Sequence, residues 1–483
     1  MSSAMRLRFR LVTVILSLCF VLPVQAAGFD GLSRLLGDGF RISAEARLLD
    51  EDGVLATIEP RRQLAPASVS KSYMAAAALN RWGPQHRFTT RLVSDARLDD
   101  QGVLQGDLML DGGGDPALTT EDLWRLVQRL HQAGVRGVNG RLRISQWRFG
   151  PVACLTTDRC EAREHTRHAY SALLSSAGVN YGNWCVNVAP AETPGEPATV
   201  TGCDSQAPIL AIDNRVVTRP DNSGTEISAE RVTRDGRDVM HLSGQISTNA
   251  HPRDIYRASS DPADQMALIL LAMLNQSGIS VTGGVGITQD RPASTVTTLA
   301  AVDGKPLQEL LLRTMNYSNN YMADMLALSL VASPRADLRS AGGAIEAFVD
   351  GIPDHGPATL HSGSGLTPEN RISAHGANAL LEHLYYQPSL FPSFVATLQS
   401  PDNGVMRFIR RGSDTFQRHV MLKTGTLNQP VAVRAVSGYF RTARGRWGVF
   451  SVLVNGTAST PYLSWSEVLD LLALDLERMI DNH

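Results

Sequence analysis

A strand-like block set between two helix-rich flanks limits the folds open to this chain more than any other feature. Before about residue 95 and after about 262 the sequence has a helical texture. Between them, short apolar runs are separated by Gly, Pro, Asp and Asn. Residues 39–58 read as a hairpin about Asp50-Glu51-Asp52-Gly53, and 68–81 (SVSKSYMAAAALNR) as a buried helix. In the second flank, 264–276, 307–316, 321–331, 374–386 and 464–480 read as helices. Residues 419–422, 432–441 and 447–454 read as strands, the last two joined about Ala443-Arg444-Gly445. Inside the block, 106–110 and 141–144 read as strands. Residues 120–133 read as a helix started by Thr120-Glu121-Asp122 and stopped at Gly134. Residues 182–225, with Pro190, Pro194 and Pro197, read as loop. Strands at both ends enclosing helices imply one α/β domain built from 27–95 and 262–483, with 96–261 inserted. No internal repeat and no low-complexity segment is present.

The chain has 483 residues, which fits two to four domains. With 43% hydrophobic and 19% charged residues it can bury a large core, so disorder of the whole chain is excluded. A net charge of −2 lacks the basic footprint of a nucleic-acid binder. The first residues read as an export signal covering 1–26. Arg6, Arg8 and Arg10 precede an apolar stretch over residues 11–24, and Val24-Gln25-Ala26 fits a small-residue cleavage site. The stretch is short for a membrane span. Cys19, between Leu18 and Phe20, lacks the small neighbours that lipid attachment needs. Removal of the signal leaves Cys154, Cys160, Cys185 and Cys203, an even set that favours disulfides in an exported protein. Four cysteines allow three pairings, and we carry forward that of sequence neighbours, 154 with 160 and 185 with 203. Zinc is the competing reading. It has no Cys-x2-Cys pair here and only His165 and His168 nearby.

Of 45 Lys and Arg residues, only Lys71, Lys305 and Lys423 are lysine. Ser68-Val69-Ser70-Lys71 puts a hydroxyl and an amine on one face at the start of a helix. A helix N-terminus favours the negative charge a nucleophilic serine develops. A lysine among apolar neighbours can lose its proton and act as a base. Ser318-Asn319-Asn320 makes a tight connection between two helices, and Lys423-Thr424-Gly425, continued by Thr426, follows a strand. Each motif is weak alone. In this order and on these elements they match the three-part set of serine acyltransferases. Lys305, in Asp303-Gly304-Lys305-Pro306, reads as a solvated loop charge.

Through these motifs the chain resembles the low-molecular-mass class C penicillin-binding proteins, the D-alanyl-D-alanine carboxypeptidase/endopeptidase family. Gly112-Gly113-Gly114-Asp115-Pro116, His361-Ser362-Gly363-Ser364-Gly365-Leu366 and Ser437-Gly438-Tyr439-Phe440 are also similar to family segments. The family carries a large insertion between its first two motifs, and here Lys71 and Ser318 stand 247 positions apart. The resemblance implies a penicillin-binding/serine β-lactamase-like transpeptidase domain, an antiparallel sheet flanked by helices. It also implies a large β-rich inserted region of two subdomains. It implies a periplasmic serine DD-peptidase that cuts D-Ala-D-Ala termini, D-Ala-diamino acid cross-links, or both, and needs no metal or organic cofactor.

The implied partners are peptidoglycan stem peptides and β-lactam antibiotics, with no nucleic acid; peripheral membrane association and oligomeric state stay open. By the same resemblance Ser68 is the acylated nucleophile and Lys71 its base. Ser318 passes the proton to the leaving nitrogen, and Asn320 holds the substrate amide. Lys423 and Thr424 bind the terminal carboxylate, Gly425 lets the strand edge approach the substrate, and the backbone N–H groups of Ser68 and Thr426 form the oxyanion hole. The chain departs from relatives at Asn319, where many have Asp. It also departs at Asn428 and Pro368, near positions where a relative uses Gln and Arg to hold the diamino acid. Two rival readings remain: a β-lactamase or esterase on the same fold, and a non-catalytic peptidoglycan-binding protein.

Overall fold

The computed structural model describes residues 28–50, 53–203 and 210–483; the expected signal over 1–26, with Cys19, lies outside them. Strands from both ends of the chain build one five-stranded antiparallel sheet. Its order is Val420–Leu427, Val433–Arg441, Trp447–Asn455, Arg41–Leu48 and Val54–Ile58. The two central strands of the second flank are buried along nearly their whole length, so both faces must be covered. Alternation of side chains divides them. Val436, Phe440, Phe450, Val452 and Val454 pack against the closing helix Trp465–Asn482. Ala435, Tyr439, Val449 and Leu453 join a larger core with the helices Ser70–Trp82, Leu307–Asn316, Asn320–Ser329, Leu338–Val349 and Ala374–Tyr385.

The expected elements of both flanks are present, and the closing helix carries a capping box of Ser464 and Glu467. The helix Leu338–Val349 has no counterpart in the sequence reading. The adjacent Gly342 and Gly343 weaken its helical signal, while a capping box of Asp337 and Ser340 starts it.

The inserted region has its own core. One mixed sheet runs in the order Val285–Thr288, Leu142–Ser145, Leu108–Asp111, Thr89–Ser94 and Thr297–Asp303. The helices Thr120–Gln132 and Pro262–Gln276 contribute their apolar faces to that core. Because Thr89–Ser94 pairs with Thr297–Asp303, the boundaries at 96 and 261 cut through a sheet, and a unit that keeps it whole runs from about 89 to 303. The segment 182–225 corrects the loop reading. It holds the strands Asn183–Ala189, Thr199–Gly202 and Ala211–Arg219. The three prolines fall in the connection between the first two of these strands, while Trp184, Val186 and Val188 alternate into the core.

Candidate active site

The first motif sits where a 3-10 turn, Ala67–Val69, runs into the helix Ser70–Trp82. Ser68 is half-buried on that turn, and Lys71 lies in the first helical turn with no exposed surface. Lys71 Nζ stands 2.9 Å from Ser68 Oγ, 2.8 Å from Asn320 Oδ1 and 2.7 Å from the carbonyl oxygen of Ser364. The amide oxygen and the carbonyl can only accept, so they take two N–H bonds. A neutral amine then has its lone pair left for the Ser68 hydroxyl, which a charged ammonium does not offer. Burial holds the Lys71 amine well below the usual lysine range, and the positive charge of Lys423 adds to the effect. Asp324 opposes it and Arg159 reinforces it. Ser70 is placed differently: it is buried, and its Oγ accepts from Asn370 Nδ2 at 2.9 Å.

The second motif bridges the helices Leu307–Asn316 and Asn320–Ser329. Ser318 takes a left-handed backbone, φ +51°. Asn319 caps the second helix, its Oδ1 accepting from the Met322 N–H at 3.0 Å, which sends the middle side chain of the motif away from Ser68. Ser318 Oγ accepts from Lys423 Nζ at 3.0 Å, and Lys423 also donates to the Thr424 carbonyl at 2.7 Å. Lys423, on the edge strand Val420–Leu427, is fully buried, and burial lowers it from 10.5 to about 7.

The edge strand passes directly over the serine turn. A Cβ at Gly425 would stand 2.4 Å from the Pro66 carbonyl oxygen and 2.8 Å from the Ser68 nitrogen. Only glycine lets the two backbones come this close. Thr424 is buried beside Lys423, and Thr426 Oγ1 accepts from Trp465 Nε1 at 3.0 Å. Ser68, Lys71, Ser318, Asn320 and Lys423, drawn from three distant stretches of sequence, thus form two adjacent hydrogen-bonded groups, Ser68–Lys71–Asn320 and Ser318–Lys423, coupled by the charge of Lys423 on Lys71, with Gly425 over the serine turn. Lys305 stands apart on an exposed connection between the strand Thr297–Asp303 and the helix Leu307–Asn316.

A cleft of about 640 Å³ opens beside these groups. Asn320 and Thr426 form part of its wall, and so do Asn428 and Pro368, the positions of departure. Asn428 Oδ1 is occupied by Arg434 Nη2 at 3.1 Å. The inserted region supplies the opposite wall with Asp158 and Tyr170, whose hydroxyl donates to Asp158 Oδ2 at 2.6 Å. The sulfurs of Cys154 and Cys160 lie 1.98 Å apart and those of Cys185 and Cys203 1.94 Å apart, both bonding distances. Cys185, Cys203 and Asp254 are the one cluster of three metal-capable groups among the described residues, and its two sulfurs stand at disulfide distance.

Sequence reasoning missed the residues behind Lys71. The Ser364 carbonyl, the Asp324 carboxylate and the Arg159 guanidinium form a second layer there. Asp324 follows Asn320 by one helical turn, a spacing that marks a shared face. Arg159 carries no comparable signal.

Comparison with known proteins gives concordant results. The family described as D-Ala-D-Ala carboxypeptidase 3 (S13) matches residues 41–471. A D-alanyl-D-alanine carboxypeptidase of Actinomadura sp. is 31% identical over 432 residues, covering 86% of this chain and 77% of that one. The D-alanyl-D-alanine carboxypeptidase DacB of Haemophilus influenzae is 25% identical over 459 residues, covering 92% and 91%. Among solved structures, penicillin binding protein 4 from Haemophilus influenzae is similar in fold. Its TM-score is 0.76 at 22% identity, and the match covers 93% of this chain and 99% of that one.

Proposed function

The chain belongs to the D-Ala-D-Ala carboxypeptidase 3 (S13) family and is a serine carboxypeptidase of the low-molecular-mass class C penicillin-binding type; from that premise we propose that it cleaves peptidoglycan stem peptides through an acyl-enzyme on Ser68. The observation that carries the reading is the buried Lys71 amine, with two acceptors for its N–H bonds and Ser68 Oγ at 2.9 Å in its third direction.

Lys71 takes the Ser68 proton as Oγ bonds to the carbonyl carbon of the penultimate D-Ala. The N–H groups of Ser68 and Thr426 hold the oxyanion; the close passage of the edge strand over the serine turn at Gly425 supports that placement. As the C–N bond breaks, Ser318 gives its proton to the leaving nitrogen and is resupplied, by way of Lys423, with the proton that Lys71 took from Ser68; its 3.0 Å contact with Lys423 supports this route. Lys423 and Thr424 hold the terminal carboxylate, and Asn320 the substrate amide. Water then frees the acyl group and restores Ser68. A terminal D-Ala as leaving group makes the reaction a carboxypeptidase step, and a cross-linked strand makes it an endopeptidase step. A β-lactam acylates the same oxygen and leaves slowly. The reading places the enzyme in the periplasm, exported by residues 1–26. Among the described residues no helix is long and apolar enough to cross a membrane.

The test uses the mature protein with labelled penicillin and with purified cross-linked muropeptides, the products identified by mass. Stable labelling that Ser68→Ala abolishes and Ser70→Ala preserves is the expected result, together with release of D-Ala or of separated strands. Labelling that survives Ser68→Ala refutes the nucleophile. Rapid turnover of nitrocefin favours a β-lactamase, and absence of labelling favours a binding protein.

A further inference from the structure

Behind Lys71 a chain of bonds leads out of the catalytic domain into the inserted region. The Ser364 carbonyl accepts from Lys71 at 2.7 Å, and the N–H of the same residue donates to Asp324 Oδ1 at 2.8 Å. Asp324 Oδ2 accepts from Arg159 Nη1 at 2.9 Å. Asp324 is fully buried and Arg159 is 3% exposed. The Nε and Nη2 atoms of Arg159 have no hydrogen-bond partner among the described residues, so Asp324 is the group that balances this buried cation. Arg159 sits on the short helix Thr157–Glu161, and the Cys154–Cys160 pair closes the loop around it. The arrangement aims a guanidinium from the inserted region at a carboxylate beside the base.

That carboxylate poses a difficulty for the base. Its bond to the Ser364 N–H helps fix the carbonyl that orients Lys71, yet an uncompensated negative charge nearby favours the ammonium form. We infer that Arg159 is a positioning residue for acylation: it neutralises Asp324, so that this carboxylate can hold the Ser364 peptide without drawing a proton onto Lys71. The charged groups facing Lys71 are Lys423 from the edge strand, Asp324 from the helix Asn320–Ser329 and Arg159 from the inserted region. Lys423 and Arg159 act against the ammonium, and Asp324 acts for it. The remaining contacts, Ser68, Asn320 and the Ser364 carbonyl, carry no charge. The inserted region therefore takes part in setting the state of the base as well as in walling the cleft. The inference rests on the reading of Lys71 as base.

The experiment measures Ser68 acylation by one penicillin from pH 5 to 10 in the full mature chain and in variants. Below the limb set by Lys71 the rate falls about tenfold per pH unit. Arg159→Met is expected to move that limb to higher pH by about one unit, a loss of about tenfold on the acid side of the limb that is recovered in alkali. Asp324→Asn is expected to move it the opposite way, because Arg159 then stands unbalanced. Arg159→Lys, which keeps the cation, should bring the limb back toward the parent position. If Arg159→Met fails to fold, the direction of the Asp324→Asn shift decides. A limb that stays fixed in the variants that fold, or losses equal at every pH, overturns the inference and leaves a structural ion pair. Failure of the underlying reading looks different: Lys71→Arg would then keep its acylation rate, whatever the Arg159 variants do.

Discussion

Gly425→Ala tests how closely the edge strand must approach the nucleophile. The added Cβ would lie 2.4 Å from the Pro66 carbonyl oxygen, 2.8 Å from the Ser68 nitrogen and 3.0 Å from the Val69 nitrogen. All three are backbone atoms, so no flexible side chain can yield. Ordinary contact begins near 3.4 Å, so strand and turn must separate by about 1 Å. Neither moves freely. The strand is tied to its neighbour through the Gly425–Ala435 register, and Lys71 anchors the turn. Overpacking of this kind costs about 1–3 kcal/mol of stability. A misplacement of about 1 Å at a reaction centre costs roughly 100-fold in rate. Acylation by a fluorescent penicillin, measured per folded molecule beside a thermal unfolding curve, separates the two effects. Gly140→Ala is the control. Its Cβ meets the Gly106 carbonyl oxygen at 2.3 Å, a backbone clash within the inserted region and off the strand that carries Lys423. It should lower the Tm while the surviving folded protein acylates normally. If Gly425→Ala lowers the Tm but keeps the parent acylation rate, the close approach serves packing, and the oxyanion role given to this edge is wrong.

Three further outcomes are expected. Lys71→Arg should lose acylation by about 100- to 10,000-fold, because a guanidinium cannot give up its proton; Lys423→Arg should lose less and show part of the loss as weaker binding of a D-Ala-D-Ala peptide, and the reverse order would move the base role toward Ser318 and Lys423. Between about pH 7 and the ordinary lysine value of 10.5 the unfolded chain binds the Lys423 proton that the native chain has lost, so this site makes stability rise with pH there; Lys423→Met should flatten that rise in Tm between pH 7 and 9. The mature exported protein, denatured without reductant, should titrate with no free thiol, whereas four reactive thiols would show that the close cysteine pairs are not bonded.

Much of the catalytic half was legible because local signals and tertiary needs agree there. The helix Ala374–Tyr385 and the strands Val433–Arg441 and Trp447–Asn455 are buried almost throughout, and their apolar and small residues suit elements covered on all sides. The loop reading of 182–225 went wrong where those needs part. Pro190, Pro194 and Pro197 dominate the composition of a stretch whose flanking strands bury mainly one face, so connection and strand blur together. The boundary at 96–261 misses the sheet edge for a related reason. Thr89–Ser94 and Thr297–Asp303 are partners about 200 residues apart, and no local pattern records which strand a strand will pair with.

The site divides in the same way, and residue frequency explains the division. Lysine is so scarce that Lys71 and Lys423 stand out once the motifs are seen, and the structure brings both to one site with Ser68 and Ser318. Arginine is so common that Arg159 reads as one more surface charge. Its partner Asp324 lies 165 positions away, and burial alone tells the pair from a solvated one. A buried pair is stable only while both members stay, since removal of either leaves an unpaired charge in a dry site. An exposed pair of the same residues would contribute at most about 1 kcal/mol and carry little influence to its neighbours. Desolvation thus gives Arg159 its hold on Asp324. The same desolvation lowers Lys71, which is why the inserted region and the base belong to one electrostatic unit although no sequence pattern joins them.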